Sequence, residues 1–133
     1  MSFPDKIAVL AAKIPTLRDV LQTEEATKNA LIMPLIAALG YDVFDPIEVV
    51  PEYTADFGIK KGEKVDYAIA KDGKIIMLFE CKHCGGDLSI ANASQLFRYF
   101  NATDARIGVL TNGIQYRFFT DLAGDVGQNQ PRF

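Results

Sequence analysis

Apolar residues recur at helical spacing twice near the start of the chain, then give way to shorter alternating and continuous runs. In residues 4–14, Ile7, Leu10, Ala11 and Ile14 share one helical face, and Pro15 is expected to end that helix. A second helix should begin after Thr23, a suitable N-cap, with Glu24 and Glu25 in the first turn, where the helix dipole favours negative charge. Its apolar face runs Thr27, Leu31, Leu35 and Leu39, with Ile32 and Ile36 alongside, and Gly40 closes it. Pro34 interrupts this pattern. A proline inside a helix removes a backbone hydrogen bond at a cost of ~3 kcal/mol, so the spacing predicts a bend or break near Ala30–Met33.

Beyond Gly40 the period shortens. Tyr41–Phe44 reads as a short strand before Pro46, and residues 51–63, with Pro51, Gly58 and Gly62, read as loop. Val65–Ala70 and Lys74–Lys82 read as strands joined at Asp72-Gly73, a hairpin dipeptide. Gly85-Gly86 breaks the chain, and Ser89 can cap a helix reaching Phe100. Arg106–Thr111 and Ile114–Thr120 form another strand pair about Asn112-Gly113. The order α-α-β-β-β-α-β-β predicts an α/β fold, a mixed sheet with helices on its faces. One domain is expected over residues 1–122, with 123–133 as a loosely ordered tail. No closing element follows, which allows a place within a longer polypeptide.

Composition narrows the class. The chain has 133 residues, 49% hydrophobic and 23% charged, a mix that suits one soluble globule with a buried core. No run approaches the ~18 apolar residues of a membrane span, and Asp5 and Lys6 stand where a secretion signal would turn apolar, so a cytoplasmic location is the expectation. The net charge of −3 argues against a free-standing, high-affinity binder of nucleic acid. That charge is uneven. Asp42, Asp45, Glu48, Glu52 and Asp56 are followed at once by Lys60, Lys61 and Lys64, which read as a solvated loop or as contacts to phosphate. Cys81 and Cys84 flank Lys82 and His83 in a C-x-x-C spacing. With one histidine in the chain there are too few ligands for a structural zinc, and the motif ends a strand, so two reduced thiols are the favoured reading. His83 points away from Lys82 and is expected to face solvent.

Candidate chemistry gathers at the end of the long apolar strand. Side chains two apart in a strand share a face, so Glu80 and Lys82 project together. By itself an E-x-K strand end is only a chain emerging into water. Asp66, in the preceding strand, changes the weighing. A strict two-residue Asp72-Gly73 turn would set Asp66 opposite Phe79, on the wrong face, whereas an odd-length loop or a bulge would set it opposite Glu80. Two carboxylates meeting there can hold Mg²⁺, with Mn²⁺ as its substitute. The ion lowers the pKa of a bound water and stabilises charge on a phosphodiester, and Lys82 would orient the water.

The spacing V-D66-Y … F-E80-C-K82 resembles the PD-(D/E)XK nuclease superfamily, with Val65 in the position of the proline. The likeness narrows to the N-terminal nuclease domain of type I restriction-enzyme motor subunits and small related prophage and bacterial proteins. It is carried also by T23-E24-E25-A26-T27-K28 with P34-L35 and L39-G40-Y41, by Q95-L96-F97-R98-Y99, and by L110-T111-N112-G113 with Y116 and F118. The resemblance spans residues 23–122 and implies a restriction-endonuclease-like fold and a Mg²⁺-dependent endonuclease acting on DNA. It further implies restriction-system subunits or a motor domain as partners. It implies metal binding by Asp66, Glu80 and a helix glutamate, Glu24 before Glu25, with Lys82 catalytic and Gln95 orienting the site. Tyr99 and Lys64 are candidates for contact with nucleic acid. Tyr99 also reads as packing, Arg98 as surface, and Glu24 as an ordinary helix-start acid. The rival expectation is a nuclease-fold module that no longer cleaves and docks DNA or protein in a larger assembly. An unrelated α/β protein with an accidental E-x-K would place Asp66 far from Glu80.

Overall fold

The computed structural model describes residues 1–55 and 63–120. Lys60, Lys61 and the 123–133 tail lie outside the described residues.

Helix α1 (Phe3–Leu17) starts in a capping box, Ser2 and Asp5 each satisfying the other's backbone N–H, with Pro4 in the first turn. It runs past the expected stop, with Pro15 in its last turn. The carbonyl that loses its N–H partner at Pro15 is not sealed from water, because α1 has no buried residue. Helix α2 (Glu24–Thr27) is capped by Thr23, whose hydroxyl accepts from Ala26 N. It continues through a π-helical turn, Lys28–Ile32, into α3 (Met33–Ala38). The Met33 N–H reaches back five residues to the Lys28 carbonyl, and this wider turn is how the helix takes in Pro34 where a bend was expected. Gly40, at φ 104°, ends α3.

Five strands form one sheet in the order β1-β2-β3-β4-β5: β1 (Val49–Tyr53), β2 (Val65–Lys71), β3 (Lys74–Cys81), β4 (Ile107–Thr111) and β5 (Tyr116–Thr120). All neighbours are antiparallel except β3 and β4, which are parallel and joined across α4 (Ser94–Ala102). The first strand lies later than the sequence suggested. At Tyr41–Phe44 there is instead a run of turns, in which Asp42 accepts from Phe44 N and Asp45 from Ile47 N, aspartates outcompeting a ladder with their own side chains. Residues 51–53, expected in a loop, close the edge strand β1, where Pro51 and a left-handed Glu52 (φ 49°) are tolerated because one side of the strand needs no partner. Ser89 opens a 3-10 turn (Ile90–Ala93) without capping it by a side-chain bond, so α4 proper starts later than expected.

The sheet is covered on both faces. Leu78, Ala68, Leu110 and Phe119 pack under Leu96, Tyr99 and Phe100 of α4. Tyr67, Ile69, Phe79 and Val109 pack under Ile32 and Ile36. Contact with α4 is close enough that a Cβ on Gly108 would stand 2.8 Å from Phe100. No described helix is long and apolar enough to cross a membrane.

Candidate metal and catalytic site

Register decides whether the acids meet. The Asp72-Gly73 turn has both residues at positive φ, 53° and 79°, and is flanked by the pair Lys71–Lys74, so it is a two-residue hairpin. That register alone would part Asp66 from Glu80. Between Ile69 and Ala70, however, the ladder shifts: Ala70 pairs with Ile75 but Ile69 with Met77, leaving Ile76 as an extra residue. The bulge moves Tyr67 opposite Phe79, which brings Asp66 beside Glu80 one step further on.

The two carboxyls are hydrogen-bonded to each other. Glu80 is 8% exposed. Burial first, then the Asp66 charge, pushes its pKa up to about 8 against the pull of Lys82, which favours its protonated form and a hydrogen bond to Asp66. Asp66 is held at both oxygens. Its Oδ2 accepts from Cys81 N at 2.7 Å and its Oδ1 from Lys28 Nζ at 3.3 Å. Lys82 stands two residues beyond Glu80, with Nζ 3.8 Å from Glu80 Oε2, and its backbone N–H donates to Thr111 O, which pins the strand end.

Gln95, on the first turns of α4, donates its amide to the Lys64 carbonyl and lies 3.4 Å from both Glu80 oxygens. One turn on, Tyr99 is fully buried and donates to the Glu63 carbonyl at 2.8 Å. A buried ring cannot touch nucleic acid; Tyr99 packs the core and fixes the approach to β2. Lys64 offers its carbonyl to the site, while its half-exposed side chain pairs with Glu52 at 2.9 Å. Glu24 bears on Glu80 through its charge, the weakest of the influences upon it. Glu25 is 70% exposed at its side chain and pairs with Lys28 at 3.1 Å.

Among the described residues no three carboxylate, histidine or cysteine side chains converge into a ready-made metal cage. A hard divalent ion does not require one, since Mg²⁺ is commonly held by one or two carboxylates and completes its shell with water and substrate phosphate. Asp66 and Glu80 are two oxygen donors side by side, and burial together with the Asp66 charge favours a proton on Glu80. The donor set fits such an ion. The cysteines do not compete for it. Cys81 and Cys84 are free thiols, and burial, followed by the Asp66 and Glu80 charges, pushes the Cys81 thiol far up, leaving it a poor ligand and nucleophile. His83 is exposed, as expected.

A model of the family described as "Type I restriction enzyme R protein N terminus" matches residues 23–128. The chain belongs to this family. The match opens at Thr23, the cap of α2, so α1 precedes it, and it takes in all five strands with Asp66, Glu80, Lys82 and Gln95. No curated protein and no solved structure matches the chain.

Three residues of the site carried no role on sequence grounds. Lys28 is the chief of them. Burial opposes its charge, but bonds from Glu25 and the field of Asp66 outweigh that and raise its pKa above the usual lysine value. Its signal was the spacing from Glu25, one helical turn away; nothing local marks the long-range partner Asp66. Thr27 is fully buried and accepts from Cys84 N at 2.9 Å, tying the π turn to the end of β3. Glu63 pairs with Arg98, so Arg98 is less a surface residue than one that anchors the chain entering β2.

Proposed function

We propose that this chain is a metal-dependent endonuclease domain that hydrolyses DNA phosphodiester bonds, acting with other restriction-system subunits or a motor domain. The observation that carries the reading is the contact of Asp66 with Glu80, made by the β2–β3 bulge, with Lys82 beside them. Asp66 and Glu80 would hold Mg²⁺ or Mn²⁺, with Glu24 supporting the ion or its water. A bound ion supplies a water of lowered pKa and positive charge against the scissile phosphate. Lys82 orients the attacking water and neutralises developing charge. Gln95 keeps the Glu80 carboxyl turned toward its partner, and the backbone N–H of Cys81 does the same for Asp66.

One observation favours the second reading, a silent docking module. Asp66 already has a cation, Lys28, 3.3 Å from its Oδ1. Cleavage of plasmid and linear DNA with Mg²⁺ or Mn²⁺ separates the two. Metal-dependent nicking that Asp66→Ala and Lys82→Ala both abolish supports the nuclease. Mn²⁺ binding that needs Asp66, without cleavage, supports a competent domain awaiting its partner. Absence of both cleavage and metal binding supports the docking module.

A further inference from the structure

Lys28 is placed in an unusual way for a lysine. Its side chain is 11% exposed and its ammonium has three neighbours: Glu25 at 3.1 Å, Asp66 at 3.3 Å, and the face of the Tyr67 ring, 5.7 Å from the centroid. These partners divide into two kinds. Glu25 and Tyr67 take no part in the proposed metal site, whereas Asp66 is half of it. The division extends to Asp66 itself. One of its oxygens is fixed by the Cys81 N–H and the other is given to Lys28. The carboxylate is therefore already oriented by the backbone, and its contact with Lys28 is the one in which an incoming divalent ion would meet another cation.

We propose that Lys28 is a placeholder cation, which occupies the Asp66 oxygen until a divalent ion takes it and then withdraws onto Glu25 and the Tyr67 ring. This rests on the metal reading above. The Asp66 charge is largely withdrawn from water, its side chain 19% exposed, and a desolvated lysine balances that charge until the ion arrives. Once a divalent ion reaches Asp66, the same ammonium becomes a like charge within a few ångströms of it. The two remaining partners then keep Lys28 from being stranded, since a carboxylate and an aromatic face both stabilise an ammonium. The π turn that begins at Lys28 contributes by widening the helix at the position from which this side chain must reach.

The test is Mn²⁺ binding by titration calorimetry without DNA, at one pH, for wild type, Lys28→Met, Lys28→Arg and Asp66→Ala. Methionine removes the competing charge and keeps the bulk against Tyr67, so Mn²⁺ should bind about tenfold more tightly. Arginine keeps the charge but holds a carboxylate through a two-pronged bond, so Mn²⁺ should bind about tenfold more weakly. That order, Met above Lys above Arg, supports the placeholder. Equal affinities, or weaker binding by Lys28→Met, overturn it and leave Lys28 a structural ion pair or a helper of the metal, while the nuclease reading stands. If Lys28→Met does not fold, by circular dichroism, the arginine comparison decides alone, and an affinity equal to or above wild type overturns the proposal. Failure of every protein to bind Mn²⁺ differently from Asp66→Ala overturns the metal reading and the placeholder with it.

Discussion

Two helical layers reach the same pair of acids from opposite faces of the sheet, and they do so with different chemistry. From one face α4 offers Glu80 a neutral amide, that of Gln95. From the other, the π turn offers Asp66 a full positive charge, that of Lys28. An amide donates equally to a site that is empty or metal-loaded, so it can hold geometry throughout. An ammonium suits the empty site and opposes the loaded one. The site is thus fixed from one side and switchable from the other, which a comparison of sequence positions alone would not suggest.

The widest break removes what both layers share. Asp66→Ala leaves Lys28 without its long-range partner and Glu80 without its bonded neighbour, and should lower Mg²⁺-dependent nicking by at least about 100-fold; plasmid relaxation measured over time checks this. Next in size is the neutral layer's footing. Leu96 of α4 is fully buried against the sheet, and Leu96→Ala should cost about 2–5 kcal/mol in urea unfolding while leaving the Lys28–Asp66 pair intact.

The charge on the acids gives a pH signature. Glu80 rises from an ordinary 4.5 to about 8 in the folded protein. Between those values the folded state holds a proton that the unfolded state has lost, so this group's contribution to stability is complete below about 4.5 and fades as pH rises through about 8. With chelator present, thermal melts of wild type should therefore lose more stability from pH 5 to 8 than melts of Glu80→Gln, by roughly several degrees. Parallel curves would mean that Glu80 is already ionised in the folded protein. The smallest effect belongs to the amide. Gln95→Leu removes a bond to Glu80 without altering charge, and nicking should fall about tenfold, with the melting temperature nearly unchanged. A fall as deep as that of Asp66→Ala would show that the α4 side does more than orient.

The sequence was most legible where local chemistry is strong. Thr23 as a cap, the disturbance ahead of Pro34, the Asp72-Gly73 turn and the apolar run of β3 all follow from neighbours a few residues away. Legibility failed where local and distant demands compete. Tyr41–Phe44 has the apolar alternation of a strand, but Asp42 and Asp45 turn the backbone onto their own carboxylates. Pro51 and Glu52 discouraged a strand that exists because β2 offers an edge to pair with. Tyr99 could be read as a DNA contact or as core, and only its full burial separates the two.

For the candidate site, the sequence by itself supplied Asp66, Glu80 and Lys82, with E-x-K on one strand face because a strand repeats every two residues, and the family resemblance added Gln95. The sequence also determined that a simple two-residue hairpin would keep the acids apart, so that something had to shift the ladder. Only the tertiary structure decided that the shift is a bulge at Ile76 rather than a longer turn, and that Lys28 pairs with Asp66. The reason is common to both. A bulge is chosen by how two strands fit the helices packed on them, and an ion pair between residues 28 and 66 forms only when folding removes water from around them; neither leaves a mark in the neighbouring residues.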